Sequence, residues 1–89
     1  MTSRSVTVVN QLGMHARAAA KFVHLATRYQ AHVRVARDAR EIDGKSIMGI
    51  LLLAAARGST ITISADGIDE HEAVDALVAL VQSGFQEDS

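Results

Sequence analysis

Two short stretches carry side chains that could do chemistry. One is Gly13-Met14-His15-Ala16-Arg17 and the other is Gly44-Lys45-Ser46. His15 stands between a glycine-containing break and the start of a helical pattern. The first N–H groups of a helix have no partner inside it and form a ready anion site. Imidazole in water titrates at about 6.5, so near neutral pH much of it is an unprotonated nucleophile. A phosphoryl group attached to such a ring lands on those N–H donors. Arg17, two residues on, adds charge-assisted bonds to the phosphoryl oxygens. Gly13 permits a tight approach. The competing reading is a histidine that merely lies near a helix cap.

Ser46 precedes an apolar run and reads as an N-cap; the sharper reading adds a phosphorylation site. The run itself is more informative. Ile47, Met48, Ile50, Leu51, Leu52 and Leu53 are apolar almost all the way round, while a helix lying on a sheet needs only one apolar side. Ile50 and Leu53, with Ala54, share a face that suits the core. Ile47, Met48 and Leu51 share another, which a domain this small can hardly cover, and Leu52 fits either. An exposed apolar patch containing Met suggests a partner surface; the alternative is cover by loops or another helix. On the preceding helix Arg17, Lys21, His24 and Arg28 recur at helical spacing. They read either as a solvated face or as a basic dock for acidic partners.

Other signals are weak. His71-Glu72 resembles the start of a zinc-protease motif, but Asp75 stands where the second His belongs. His32 lies on the outward face of a strand. Four scattered His residues make no metal site, and there is no P-loop, dinucleotide fingerprint or nucleophile elbow. Neither metal nor cofactor is expected. The chain has no Cys, which removes disulfides and thiol catalysis and fits a reducing cytoplasm. A net charge of −1, one Tyr, two Phe and no Trp argue against nucleic acid. No run reaches the roughly 20 apolar residues of a membrane helix.

The chemistry needs elements to position it. At 89 residues the chain is read as one domain, 1–89. Ser5 to Asn10 is a Val-rich strand. Ala19, Phe22, Val23 and Ala26 stripe a helix running from Ala16 to about Arg28. His32 to Arg37 alternates, Asp38-Ala39 turns, and Arg40 to Asp43 returns. Ser46 opens a helix expected to reach about Ala56, stopped by Gly58. Thr60 to Ala65 alternates with Ile61 and Ile63 inward. Asp69 and Glu72 have capping-box spacing before a last helix, striped by Ala73, Leu77, Leu80 and Val81 and ended by Gly84. The order β-α-β-β-α-β-α implies an α+β fold, an antiparallel sheet with its helices on one face. Periodicity leaves the strand order open, and a ferredoxin-like arrangement shares the first six elements.

Gly13 to Ala19 and Lys45-Ser46-Ile47-Met48-Gly49 together resemble HPr, the histidine phosphocarrier family of the bacterial phosphotransferase system. The similarity runs from about Val6 to Val81. It implies an open-faced two-layer sandwich with strand order 1-4-2-3 and three helices on one face. It implies that enzyme I, charged from phosphoenolpyruvate, phosphorylates His15, which donates to an enzyme IIA-type acceptor. Arg17 matches the assisting arginine. Ser46 matches the serine modified in many members by HPr kinase/phosphorylase. Ile47, Met48 and Leu51 match the apolar helix that family members press against their partners, and the partner-binding surface is expected to take in Ala16, Arg17, Lys21 and His24 as well, on a monomeric carrier that is not itself a catalyst. Sugar-transport members usually carry Pro where this chain has Ala18. A helix accepts either near its first turn, and the His-Ala-Arg-Ala-Ala form resembles the nitrogen-related branch, NPr, or the single carrier of bacteria with a reduced system. Two competing classes are a purely regulatory binding protein on this fold and a ferredoxin-like ligand-binding or oligomerisation domain. The second does not account for His15, Arg17 and Ser46 together.

Overall fold

The structure is a computed structural model and describes residues 1–86. Its elements are β1 (Thr2–Thr7), α1 (Ala16–Ala26), β2 (His32–Arg37), β3 (Arg40–Asp43), α2 (Ile47–Leu52), β4 (Thr60–Asp66) and α3 (Glu70–Gln82), followed by a short 3₁₀ turn, Gly84–Gln86. The four strands form one antiparallel sheet in the order β1-β4-β2-β3. This is the order that periodicity left open.

Alternation decides which face the helices cover. Val6, Val33, Val35, Ile61, Ile63 and Ala65 point inward and are buried. They meet Ala18, Ala19, Phe22 and Ala26 of α1, Ile50 of α2, and Ala73, Val74, Leu77, Val78 and Val81 of α3 in one apolar cluster. Each large side chain there contributes roughly 2 kcal/mol by leaving water. The outer face is polar, and cross-strand hydroxyl pairs line it, Ser3 with Ser64 at 2.8 Å and Ser5 with Thr62 at 3.0 Å.

Several bounds differ from the sequence expectation. β1 starts at Thr2 and its ladder ends at Thr7, not Asn10. The inward positions of its first half carry Thr2 and Arg4, which bond Glu70 and Asp75 of α3 instead of filling the core. An apolar pattern cannot detect such a half-strand. Helix α2 stops at Leu52, well short of Ala56. Ala54 is exposed rather than in the core and adopts φ +50°. The capping box does not form. Asp69 accepts instead from the Gln30 and Ala31 N–H groups, at 2.8 and 2.9 Å, and so pins the α1–β2 turn to the start of α3. Phe85, left out of the expected core, is fully buried. It follows Gly84, which takes φ +68° beyond the end of α3, and an apolar residue just past such a glycine commonly packs back on its helix.

Glu70 closes the end of the sheet away from the α1 start. Its carboxylate accepts from the Thr2 hydroxyl at 2.6 Å, the N-terminal ammonium at 3.1 Å and the Gly67 N–H at 3.3 Å. These partners, Thr2 first, lower its pKa from 4.5 to about 2. A depressed carboxylate contributes stability above its unfolded pKa and loses it as pH falls through the folded one. Glu70→Gln should therefore melt earlier than wild type at neutral pH, with the gap closing between pH 4.5 and 2. A gap in melting temperature that stays constant across that window would rule the contribution out.

Candidate functional site

His15 is the N-cap of α1, with extended backbone at φ −74°, ψ 179°. Its carbonyl accepts the first helical bond, from Ala19 N–H at 2.8 Å. The N–H groups of Ala16, Arg17 and Ala18 thus belong to the first turn, where no carbonyl of the helix reaches them. The imidazole makes no cap bond to that turn and is half-buried, while Ala16 and Arg17 beside it are exposed. The His15 imidazole and Arg17 therefore both belong to the start of α1, at its N-cap and in its first turn.

The loop before His15 is held from two sides. Asn10 is buried, donates through Nδ2 to the Gly13 carbonyl at 2.7 Å, and accepts the Gly13 N–H on its own carbonyl at 3.1 Å. Gly13 has φ +66°, and a Cβ there would stand 2.6 Å from the Ala55 carbonyl oxygen and 2.9 Å from Ala56 Cα. Only glycine meets both conditions. The same Ala55 carbonyl accepts the Met14 N–H at 2.9 Å. Sequence reasoning assigned Gly13 its close approach but found neither Asn10 nor the 54–56 loop. Asn10 offered a signal, a polar residue ending a Val-rich run. The loop offered none.

Strand register sets the ends of the molecule. β1 and β2 both run toward the His15 end, since Thr7 pairs with Thr60 and Ala36 with Thr62 late in each strand. The C-terminus of α2 lies at that end too, because Ala55 meets Met14. Ser46, the N-cap, is therefore at the opposite end of α2 from the Met14 contact. Its hydroxyl accepts from the Gly49 N–H at 3.0 Å, so the N-cap reading holds. Lys45 reaches the turn after α1, donating to the Tyr29 carbonyl at 2.7 Å.

Between Ser46 and His15 lies exposed apolar surface. Ile47 is 44% exposed, Met48 67% and Leu52 59%. Leu51 is half-buried against the core, so it supports this patch more than it presents it. Leu52 belongs to the exposed side, and Leu12, exposed in the loop that carries His15, is a further apolar residue that the sequence reading did not single out. Arg17, Lys21 and His24 of α1, with Arg28 just past its end, line an open groove together with Leu25 and Leu80. Lys21 is turned to the chain itself and donates to the Phe85 carbonyl at 2.7 Å. His32 sits in register with Asp66 on the outer face, and His71 contacts Thr2, both far from His15. Among the described residues no group of three or more His, Cys, Asp or Glu is placed to hold a metal. No helix among them is long and apolar enough to cross a membrane.

A family model described as the PTS HPr component phosphorylation site matches residues 2–83. A phosphocarrier protein HPr from Cupriavidus necator is 49% identical over 98% of both chains. A phosphocarrier protein NPr from Shewanella violacea is 40% identical over 97% of this chain and 94% of its own. Among solved structures, HPr-C-His from Thermoanaerobacter tengcongensis superposes with a TM-score of 0.95 at 39% identity over the whole of both chains. An HPr dimer from the same organism gives 0.78 at 40% identity, covering 98% of this chain and 100% of its own. With the motifs, the strand order and the match over nearly its full length, the chain belongs to the HPr family of phosphocarrier proteins of the phosphotransferase system, carriers and not catalysts.

Proposed function

We propose that His15 accepts a phosphoryl group from enzyme I, itself charged from phosphoenolpyruvate, and donates it to an enzyme IIA-type acceptor. A phosphorus–nitrogen bond forms to the His15 ring as the bond to the donor's histidine breaks, and the donor ring leaves as the imidazole. The first-turn N–H groups of α1 and the Arg17 guanidinium stabilise the charge on the transferred group. The observation that carries this reading is the imidazole at the N-cap of α1, beside exposed Arg17. The site is complete within one chain, so one copy is the working unit, whether or not copies pair. Incubation with enzyme I and labelled phosphoenolpyruvate tests it. One phosphoryl group per chain, lost in mild acid, is expected. No label would leave the purely regulatory reading.

Regulation through Ser46 is the second half of the proposal, with HPr kinase/phosphorylase as the modifying partner. A phosphate there would stand at the N-terminus of α2, next to exposed Ile47 and Met48. The fold should accept the charge, since negative groups are favoured at helix starts. A partner that reads the exposed Arg17 and Arg28 presents an acidic surface, which the new charge repels. Ser46→Asp is therefore expected to keep its melting temperature and slow charging of His15 by weakening the complex. The defect should shrink as salt rises. Initial rates against carrier concentration, at low and high salt, decide this; matching curves at low salt would leave Ser46 as a cap only.

A further inference from the structure

The end of α2 is held from outside by two arginines of the β2–β3 hairpin. Arg37 Nη1 donates to the Leu53 carbonyl at 2.8 Å and to the Ala54 carbonyl at 3.3 Å. Arg40 Nη1 donates to the Leu52 carbonyl at 2.6 Å. These are carbonyls that a helix end leaves without intrahelical partners, and the last turn of α2 has no basic residue of its own. Just beyond them the chain reverses at Ala54, φ +50°, a conformation disfavoured for any residue with a Cβ. The reversal brings the Ala55 carbonyl to the Met14 N–H, 2.9 Å away, and against Gly13.

We infer that Arg37 and Arg40 are positioning residues for phosphoryl transfer: they fix the 54–56 loop, whose Ala55 carbonyl seats the backbone one residue before His15. Neither arginine touches the reacting atoms. The inference rests on the reading of His15 as the phosphoryl acceptor. Its physical basis is that three carbonyls and a left-handed alanine share one clamp. The loop's backbone bonds, Ala54 N–H to the Leu51 carbonyl at 3.1 Å and Ser59 N–H to the Ala56 carbonyl at 3.0 Å, flank the reversal, and the guanidinium groups add side-chain ties on the carbonyls of residues 52 to 54, so their loss lets Ala54 relax. The Met14 bond then loosens, and small misplacements of a nucleophile are costly in rate.

The test uses the full chain and the variants Arg37→Met and Arg40→Met. Charging of His15 is followed against enzyme I concentration. Amide hydrogen exchange is followed at Met14 and, as a core control, at Phe22. The maximal rate of charging should fall about tenfold in Arg37→Met, with the half-saturating concentration little changed. Met14 should exchange faster while Phe22 does not. Arg37→Lys, which keeps a cation but not the planar fork, should lie between. Wild-type rate and wild-type Met14 exchange in both Met variants would overturn the assignment. So would equal acceleration at Met14 and Phe22, which would mark a general loss of stability. Should Arg37→Met fail to fold, Arg40→Met and Arg37→Lys carry the same readouts. If wild type itself takes no label, the His15 reading fails; if wild type charges and the variants match it, only the arginine assignment fails.

Discussion

His15→Ala is expected to take up no phosphoryl group from enzyme I while keeping its fold. The substitution removes the nucleophile outright, so the loss should be complete rather than partial. The helix start should persist, because the bond from Ala19 N–H goes to the residue 15 backbone carbonyl. No other histidine can replace the missing ring. His24 lies farther down α1, His32 is on the outer face of the sheet opposite Asp66, and His71 contacts Thr2 at the far end. None of the three caps a helix N-terminus. Intact-mass measurement at neutral pH and again after mild acid reads the outcome directly. An acid-labile adduct in His15→Ala would move the site to His24, His32 or His71 and end the present reading. Circular dichroism of the variant separates lost chemistry from lost structure.

The difference between what could be read in the residues and what could not follows the range of the interactions. β2 falls at His32–Arg37, where alternation puts it, because each side chain's environment depends on its own position along the strand, and β3 at Arg40–Asp43 follows from the turn at Asp38-Ala39. Ser46 caps its helix through Gly49, three residues away, and that bond is local. The end of α2 is another matter. Its last carbonyls accept from Arg37 and Arg40, twelve to seventeen residues earlier, and no helix-stop signal in the run itself records them. Asp69 shows the same limit. Its spacing to Glu72 suits a capping box, yet its carboxylate is taken by Gln30 and Ala31, thirty-nine and thirty-eight residues away. The strand order came from family resemblance, since pairing partners of β1 and β4 lie some sixty residues apart and leave no periodic trace. At the site, His15, Arg17 and Gly13 were visible as residue types with local consequences. The loop that Gly13 and Met14 rest against, at Ala55 and Ala56, was not.

Met48→Asp should weaken binding to enzyme I by roughly thirtyfold or more while leaving the carrier's stability intact. Met48 is 67% exposed, so the folded chain gives up little packing when it is replaced. An acidic residue in the first turn of α2 is also favourable to the helix. The cost arises only in the complex. Ile47, Met48 and Leu52 form an exposed apolar surface on α2, with half-buried Leu51 beneath it and Leu12 in the loop before His15. Arg17, Lys21 and His24 of the neighbouring helix, with Arg28 just past its end, line a groove beside it. A partner that covers the apolar surface must strip water from a carboxylate placed at its centre. That costs on the order of 2 kcal/mol, and 1.4 kcal/mol is a factor of ten in affinity. Ile68 supplies the control. It is 90% exposed but sits in the turn after β4, at the end of the sheet away from His15. Ile68→Asp should therefore bind enzyme I as wild type does. Calorimetric titration of both variants, with melting curves alongside, distinguishes a docking surface from a merely solvent-facing one. Equal affinity for Met48→Asp and wild type, with matching melts, would show that enzyme I does not cover this face of α2.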